Sequence, residues 1–213
     1  TTITDDILDA MAECEKVVKY IDLPLQHAAD AVLRRMKRPG TGKQYERLLS
    51  RIRERVPGVS LRTTFIVGFP GESEAEFDEL CTFVRNLRFD HVGVFTYSHE
   101  EGTTAHGLLD DVPAATKQKR RNRLMAEQKR IVTQAQRKRV GARVQVMVDG
   151  PSPEHALVWR GRLAGQAPEI DPVVYFTDAA LESLRPGAVL QAEIVGSRDY
   201  DLVVRPADEH QRD

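Results

Sequence analysis

The chain has 213 residues, of which 41% are hydrophobic and 30% are charged, and its formal net charge is −1. These values are ordinary for a globular protein, and no apolar run approaches the roughly 20 residues that a membrane-spanning helix needs. The sequence therefore predicts no spanning segment and no membrane partner, and it leaves room for one large domain or two modest ones.

The cysteine content favours a reducing, cytoplasmic setting. Cys14 and Cys81 are far apart, so they form neither a disulfide framework nor the close pairs typical of metal sites. Cys81 lies in an apolar pattern with helical spacing, which predicts a core position. The first residues are polar and acidic, which is typical of a helix start with Thr4 as N-cap rather than of a secretory signal. We therefore expect further sequence upstream of this helix.

The first part of the chain alternates helices and strands. Ser73 followed three residues later by Glu76 predicts a capping box at the start of one helix. Strands separated by helices are expected to be parallel, with right-handed crossovers. We predict helices at about 4–13, 30–37, 42–56 and 73–88, and strands over 17–25, 61–69 and 91–97.

A long helix is predicted next, at about 114–139. Between residues 115 and 140 the sequence has ten Lys or Arg and a single acid, Glu127. A solvated face explains most basic helices, but this density also favours a contact with nucleic acid or another acidic surface.

From Arg143 onward the pattern changes to short β segments separated by turn residues. Five strands in about 65 residues fit a small closed barrel of the OB-like kind. They are predicted at 144–148, 156–162, 173–176, 188–195 and 201–204. The chain thus divides into domains 1–140 and 141–205 and a polar tail, 206–213. The first domain has 24 basic and 20 acidic side chains and the second has 6 and 9, which suggests different partners.

Unusual residues follow each of the three predicted parallel strands. Ligands gather at the carboxyl ends of such strands, so we expect the three clusters to share one rim and form a site. Glu72, at a helix start, suits an ammonium or hydroxyl group, and Arg62 shares a strand face with Thr64, where it suits a carboxylate. The clusters are Pro24-Leu25-Gln26-His27, Gly68-Phe69-Pro70-Gly71-Glu72 and Tyr97-Ser98-His99-Glu100-Glu101-Gly102-Thr103.

Each cluster also has a purely structural interpretation. His27 could be a histidine satisfied by nearby backbone groups, and the Gly-Phe-Pro-Gly segment could be a turn that uses the φ preferences of proline and glycine. The basic segment 37–43 superficially suggests a phosphate loop, but it lacks the required spacing and follows a helix instead of a strand.

Four long segments are similar to radical SAM methylthiotransferases: Tyr20–Ala28, Met36–Thr41, Arg62–Glu72 and Phe95–Thr103. One subgroup of that family modifies adenosine in transfer RNA. The other, the RimO type, modifies an aspartate of ribosomal protein S12, and segments 167–175 and 199–202 resemble this type. The charge agrees, because an acidic second domain suits a basic protein better than it suits RNA.

The resemblance implies an α/β fold: the carboxy-terminal half of a radical SAM (partial TIM) barrel, followed by a small all-β TRAM domain adapted to protein recognition. It also implies S-adenosyl-L-methionine (SAM) and two [4Fe–4S] clusters in the complete enzyme. A 5′-deoxyadenosyl radical would take a hydrogen from the aspartate β-carbon before a methylthio group is installed. The resemblance places Gln26, His27, Arg62, Thr64, Gly68, Glu72 and Tyr97 around SAM, and Glu101, Gly102 and Thr103 near SAM or substrate.

The chain departs from the family pattern in its cysteines. The family holds its SAM-cleaving cluster in a CxxxCxxC loop, which Cys14 and Cys81 cannot supply. We therefore expect this polypeptide to be part of a longer enzyme and to cleave no SAM alone. Two other hypotheses stay open, namely the transfer-RNA enzyme of the same family and a stand-alone binding protein without catalysis.

Overall fold

The structure is a computed structural model that describes residues 3–155, 157–178 and 184–207. It divides into two compact units, Thr1–Ile131 and Val132–Asp213, each with its own hydrophobic core. None of the described helices is both long enough and apolar enough to cross a membrane.

The first unit contains a three-stranded parallel sheet in the order β1-β2-β3, which confirms the predicted alternation of parallel strands and helices. A short 3₁₀ helix, Thr104–Gly107, follows the third strand. The strands are β1 (Tyr20–Asp22), β2 (Ser60–Val67) and β3 (His91–Thr96), and the helices are α1 (Asp5–Glu13), α2 (Asp30–Arg35), α3 (Gly42–Arg55), α4 (Glu74–Leu87) and α5 (Ala114–Arg137).

The central strand β2 separates a buried face from a partly exposed one, because successive side chains of a strand point to opposite sides. Leu61, Thr63, Phe65 and Val67 are buried, whereas the residues between them are intermediate in exposure. The buried face packs against apolar side chains of the helices, among them Leu49, Ile52, Phe77, Leu80, Val84 and Leu124. The other face of β2 carries Ser60, Arg62, Thr64 and Ile66. We call this side of the sheet the open face.

The predicted capping residues form a side-chain hydrogen bond at the start of α4 but not at the start of α1. In α4 the Ser73 hydroxyl accepts the Glu76 N–H at 3.2 Å while a Glu76 carboxylate oxygen accepts the Ser73 N–H at 2.7 Å, which confirms the capping box. Thr4 is the N-cap of α1 as predicted, but its side chain makes no capping hydrogen bond. The predicted strand over 17–25 is wrong in length, since only Tyr20–Asp22 pairs with β2 as a strand.

The second unit contains a closed five-stranded barrel in the order β4-β5-β6-β8-β7. Its neighbouring strands pair antiparallel except β6 and β8, which are parallel. Two predicted features lie partly outside the described residues: Ala156, the first residue of the predicted strand 156–162, and residues 208–213 of the predicted tail. The strands are β4 (Arg143–Pro151), β5 (Trp159–Arg162), β6 (Val174–Phe176), β7 (Val189–Arg198) and β8 (Asp201–Pro206), which confirms five short strands.

The barrel is filled by alternating aliphatic side chains. Its buried core includes Val146, Val148, Val174, Ala192, Ile194, Leu202 and Val204. Gly161 in β5 faces this core so closely that a Cβ there would overlap the carbonyl oxygen of Met147 and press on the Val146 side chain. The small residue at this position therefore permits the β4–β5 pairing.

Candidate cofactor-binding rim

The three predicted clusters lie at the carboxyl ends of three neighbouring parallel strands. The register pairs Asp22 with Arg62 across β1 and β2, and Arg62 with His91 across β2 and β3. Beyond the strands, the Tyr97 N–H donates to the Val67 carbonyl at 2.9 Å. The structure therefore brings all three loops to one edge of the sheet, as the strand order predicted.

The open face presents polar side chains just below this edge. Arg62 Nε lies 3.4 Å from a carboxylate oxygen of Asp22, and the Arg62 side chain is mostly covered. A Cβ built on Gly93 of β3 would lie 3.4 Å from the Thr64 hydroxyl oxygen and 3.7 Å from Arg62 Nη2. Since Gly93 has no side chain, it adds no further cover over these two groups.

Asp22 and Gly93 are members of this face that the motif-based prediction missed. The signal that finds them is strand register, because Asp22 is opposite Arg62 and Gly93 is opposite Thr64. Phe95, two residues beyond Gly93 on the same face, is 60% exposed. An exposed aromatic ring beside a guanidinium and a hydroxyl is suited to a ligand with both flat and polar parts.

Gln26 adopts a left-handed backbone conformation with a φ of 72°, which is uncommon for a residue other than glycine. Hydrogen bonds to β2 hold it, since its N–H donates to the Thr64 carbonyl and its carbonyl accepts the Ile66 N–H, both at 2.8 Å. Such conformations concentrate at functional sites. The backbone of Gln26 is thus bonded to β2 at the rim, beyond the end of β1, and the residue is partly exposed.

His27 and Glu72 are enclosed, with no exposed side-chain surface on either. His27 Nδ1 accepts the Ala29 N–H at 3.0 Å. One Glu72 carboxylate oxygen, Oε2, accepts the N–H groups of Gly68 and Phe69, the second at 3.1 Å. In this conformation the two side chains do not reach the open face, and Glu72 is engaged in shaping the Gly68–Glu72 turn.

Two basic residues of α5 are buried against the rim loops. The sequence predicted a solvated or nucleic-acid-binding helix face and did not predict this burial. Lys117 and Arg120 are only 7% and 6% exposed. Arg120 Nη1 donates to the Glu72 carbonyl at 2.9 Å, and Lys117 Nζ lies 2.7 Å from a carboxylate oxygen of Asp110. Arg120 therefore contacts the loop after β2, and Lys117 contacts the loop after β3.

The burial of Lys117 and Arg120 could have been predicted from their spacing along the helix. Buried positions on α5 recur at intervals of three and four residues, which is the spacing of one helix face. Between residues 117 and 131 the buried set is Lys117, Arg120, Leu124, Gln128 and Ile131. Extending the apolar stripe toward the start of the helix therefore places the two cations inward.

The third loop is more exposed than the other two. Tyr97 packs edge-on against Phe69 with ring centroids 5.0 Å apart, and burial, with the Asp110 and Glu100 carboxylates, raises the pKa of Tyr97. Thr103 caps the 3₁₀ helix by accepting the His106 N–H at 3.2 Å. Glu101 and Gly102 are exposed at the tip of this loop.

Within residues 3–155, 157–178 and 184–207, no group of three or more His, Cys, Asp or Glu side chains is arranged to hold a metal ion. Cys14 is exposed and Cys81 is buried. The buried position of Cys81 confirms its predicted place in the core.

Family models match both parts of the chain. The Radical SAM superfamily model matches residues 1–84, and the TRAM domain model matches residues 140–206. Proteins named ribosomal protein uS12 methylthiotransferase RimO are similar over 94–95% of the chain. Those of Sorangium cellulosum, Solibacter usitatus and Symbiobacterium thermophilum are 48%, 46% and 45% identical. Over nearly its whole length the chain is similar to RimO-type radical SAM methylthiotransferases.

The chain corresponds to less than half of these RimO relatives, covering 41%, 43% and 42% of their lengths. A solved structure supports the fold. Coproporphyrinogen III oxidase (HemN) from Escherichia coli, titled a radical SAM enzyme, aligns with a TM-score of 0.52 at 16% identity. The alignment covers 76% of this chain and 44% of that one. The fold of this chain is therefore a portion of a radical SAM α/β barrel followed by a TRAM barrel.

Proposed function

We propose that this chain is part of an enzyme that methylthiolates the β-carbon of an aspartate in ribosomal protein S12, with SAM and [4Fe–4S] clusters as cofactors. The observation that carries the proposal is the similarity to RimO proteins at 43–48% identity across nearly the whole chain. The chain contributes the rim that faces SAM and the domain that faces the protein substrate.

The open face has the chemistry that SAM requires. SAM has a carboxylate, an ammonium group, ribose hydroxyls and an adenine ring, and when bound it supplies the radical that starts the reaction. Arg62 is suited to the carboxylate, Asp22 and Thr64 are suited to the ammonium or hydroxyl groups, and Phe95 offers an exposed ring. These donors and acceptors fit the cofactor by type and by their common placement on one face.

The remaining predicted cofactor residues act through the shape of the rim. We propose that Gln26, Gly68 and Tyr97 line SAM mainly through the backbone and loop positions described above. His27 and Glu72 are enclosed, so their role is to hold the Gly68–Glu72 turn. Glu101, Gly102 and Thr103 lie on the exposed third loop, where the protein substrate would approach.

The residues present do not fit an iron–sulfur cluster. Cluster ligation requires several thiolates that converge, and Cys14 is exposed while Cys81 is enclosed in the core. No step of the reaction is therefore assigned to a cluster held by this chain. Supplied with iron and sulfide, the chain alone should form no 5′-deoxyadenosine from SAM.

We propose that the TRAM domain recognises the basic ribosomal protein. Residues 141–205 have nine acidic and six basic side chains. Some acids are paired, as in Glu193 with Arg205 at 3.0 Å, but Glu154, Glu169 and Asp178 are exposed. A negative surface attracts a basic partner and repels phosphate.

The basic helix α5 gives less support to RNA binding than its composition suggests. Arg123 is paired with Glu74 at 3.1 Å and with Asp78 at 2.6 Å. Arg130 lies 3.2 Å from Glu127, and Lys117 and Arg120 are buried. Much of the positive charge is thus used within the fold.

A binding experiment distinguishes the substrate classes. Association of the chain with S12, with a second basic ribosomal protein and with transfer RNA is measured between low and high salt. We expect binding to S12 that is stronger than to the second protein and that Glu169→Lys weakens, with Glu13→Lys in α1 as the control. Tight, salt-sensitive binding to transfer RNA would overturn the assignment.

A chimeric enzyme tests the catalytic part of the proposal. This chain replaces the matching region of the Sorangium cellulosum RimO protein, so that the relative supplies the rest of the enzyme. We expect mass spectrometry to detect a methylthio group on an S12 aspartate. A folded chimera with assembled clusters that binds S12 and modifies nothing would favour the stand-alone binding protein.

A further inference from the structure

We propose that Lys117 is a positioning residue that fixes the loop Ser98–Asp111 to the Gly68–Glu72 turn and thereby sets the geometry of the rim. The catalytic meaning of this inference rests on the proposed function, but the structural restraint does not. None of the sequence motifs includes Lys117.

The ammonium group of Lys117 has a defined set of partners. Its Nζ donates to Asp110 Oδ1 at 2.7 Å and Oδ2 at 2.8 Å, and to the Tyr97 carbonyl at 3.4 Å. It also lies 5.0 Å from the centroid of the Tyr97 ring. A lysine that is almost wholly buried requires such compensation, because an unpaired buried charge is costly.

These partners stand at the two ends of one loop. Tyr97 immediately precedes Ser98, and Asp110 is next to the last residue of the loop. The neighbouring Asp111 accepts the Gly71 N–H at 2.7 Å. The loop therefore has the closed ends of an Ω-loop, because the Lys117 ammonium group contacts both ends. The Asp111 hydrogen bond in turn joins the second end to the Gly68–Glu72 turn.

The side-chain stem of Lys117 makes a second contact, with the turn after β2. Gly68 has a φ of +73°, and a Cβ at this position would overlap Lys117 Cγ. The N–H of Gly68 in turn donates to the Glu72 carboxylate. One lysine thus touches the second rim loop with its stem and the third with its charge.

Loss of this side chain should release the third loop before it affects the rest of the fold. Besides Lys117, the loop is anchored by Ala105, which packs against the cluster of Ala29, Val32 and Phe69, and by Asp111, whereas its segment 100–103 is exposed. A local change in loop order is therefore the direct consequence of the contact geometry.

Amide hydrogen exchange of the chain tests the restraint. In Lys117→Met we expect exchange of amides within 98–109 to accelerate by about tenfold relative to wild type, the effect of losing one charged hydrogen-bond partner. Lys119→Met, an exposed lysine on the same helix, is the matched control and should leave exchange unchanged. Lys117→Arg, which keeps charge and stem, should restore most of the protection.

Two further results would decide against the restraint. Exchange in 98–109 that is unaltered in Lys117→Met would overturn it, and so would equal acceleration in β2, since that would indicate general destabilisation. Asp110→Asn provides an independent check, because it removes the same ion pair without touching the Gly68 contact. We expect it to accelerate exchange in 98–109 while sparing the Gly68–Glu72 turn.

The catalytic role of Lys117 is tested in the chimera described above. Lys117→Met should raise the ratio of 5′-deoxyadenosine to methylthiolated S12, because SAM cleavage would continue while the substrate-side loop is misplaced. An unchanged ratio together with altered exchange would overturn the catalytic role. If the parent chimera has no activity, the proposed function fails, and the exchange results still decide whether Lys117 restrains the loop.

Discussion

The Nε2 atom of His27 lies 3.6 Å from Oε1 of Glu72, and neither side chain has exposed surface. His27 Nδ1 accepts the Ala29 N–H, so the ring N–H that faces the carboxylate is on Nε2. The separation is longer than a hydrogen bond, but the two groups attract in a buried setting. The pair therefore links the loop after β1 to the turn after β2.

Glu72→Gln should destabilise the first unit by about 1–3 kcal/mol. The glutamine oxygen can still accept the Gly68 and Phe69 N–H groups at the position of Oε2. Its amide hydrogens would then face the Nε2–H of His27, and the negative charge that lies 3.6 Å from Arg120 Nη1 would be lost. Urea denaturation of the chain followed by circular dichroism measures the change.

Glu74→Gln is the matched control for that measurement. Glu74 also contacts Arg120, at 3.3 Å, but its side chain is 63% exposed. Exposed ion pairs contribute little, so we expect a loss of less than about 1 kcal/mol. Equal losses in the two variants would show that the enclosure of Glu72 has no energetic consequence.

The second prediction concerns how the free energy of unfolding changes at acid pH. Burial raises the pKa of Glu76, but hydrogen bonds from Arg35 and from Ser73 outweigh it, so this pKa lies below its usual value of 4.5. The unfolded state therefore takes up the proton first as the pH falls. The stabilisation by the Glu76 carboxylate is full above about pH 4.5 and is lost as the pH falls through the folded-state pKa.

Glu76→Ala should lower the free energy of unfolding at pH 7 by about 1 kcal/mol, because it removes half of the capping box and the partner of Arg35. Denaturation at pH 3 should show a smaller difference between variant and wild type. In Arg35→Met the free energy of unfolding should depend less steeply on pH than it does in the wild-type protein. A Glu76→Ala deficit that stays constant from pH 7 to pH 3 would contradict the linkage.

Local features of the fold were predictable, whereas contacts between distant segments were not. The Ser73–Glu76 capping box depends on four consecutive residues, so the sequence shows it directly. The burial of Arg120 depends on the Glu72 carbonyl, 48 residues away, and a basic helix viewed alone resembles a solvated one. For the rim, strand order predicted which loops meet, but only the register reveals that Gly93 lies opposite Thr64.

The third prediction concerns the TRAM barrel. Gly161→Ala should destabilise it by several kcal/mol, since a Cβ would overlap the Met147 carbonyl, and backbone cannot yield as a flexible side chain can. Gly196→Ala is the control, because no atom lies within 4 Å of a Cβ there and the change is also in a strand. Thermal unfolding followed by the fluorescence of Trp159 in β5 compares the variants. Similar melting temperatures for both would contradict the close approach.

The fourth prediction separates the two thiols. Burial raises the pKa of Cys81 to about 11, whereas Cys14 is exposed. Because the thiolate is the reactive form, a thiol reagent at pH 8 should modify one cysteine in the native chain and two after denaturation. Cys14→Ser should abolish the native reaction.

The same burial predicts a loss of stability at alkaline pH. Between about pH 9 and pH 11 the Cys81 thiol of the unfolded chain loses its proton while the folded protein retains it, so the free energy of unfolding falls as pH rises. Cys81→Ala removes this contribution and should decline less steeply over that range. If both proteins decline in parallel, or if two thiols react in the native chain, then Cys81 is more accessible than its place among the core side chains of α4 implies.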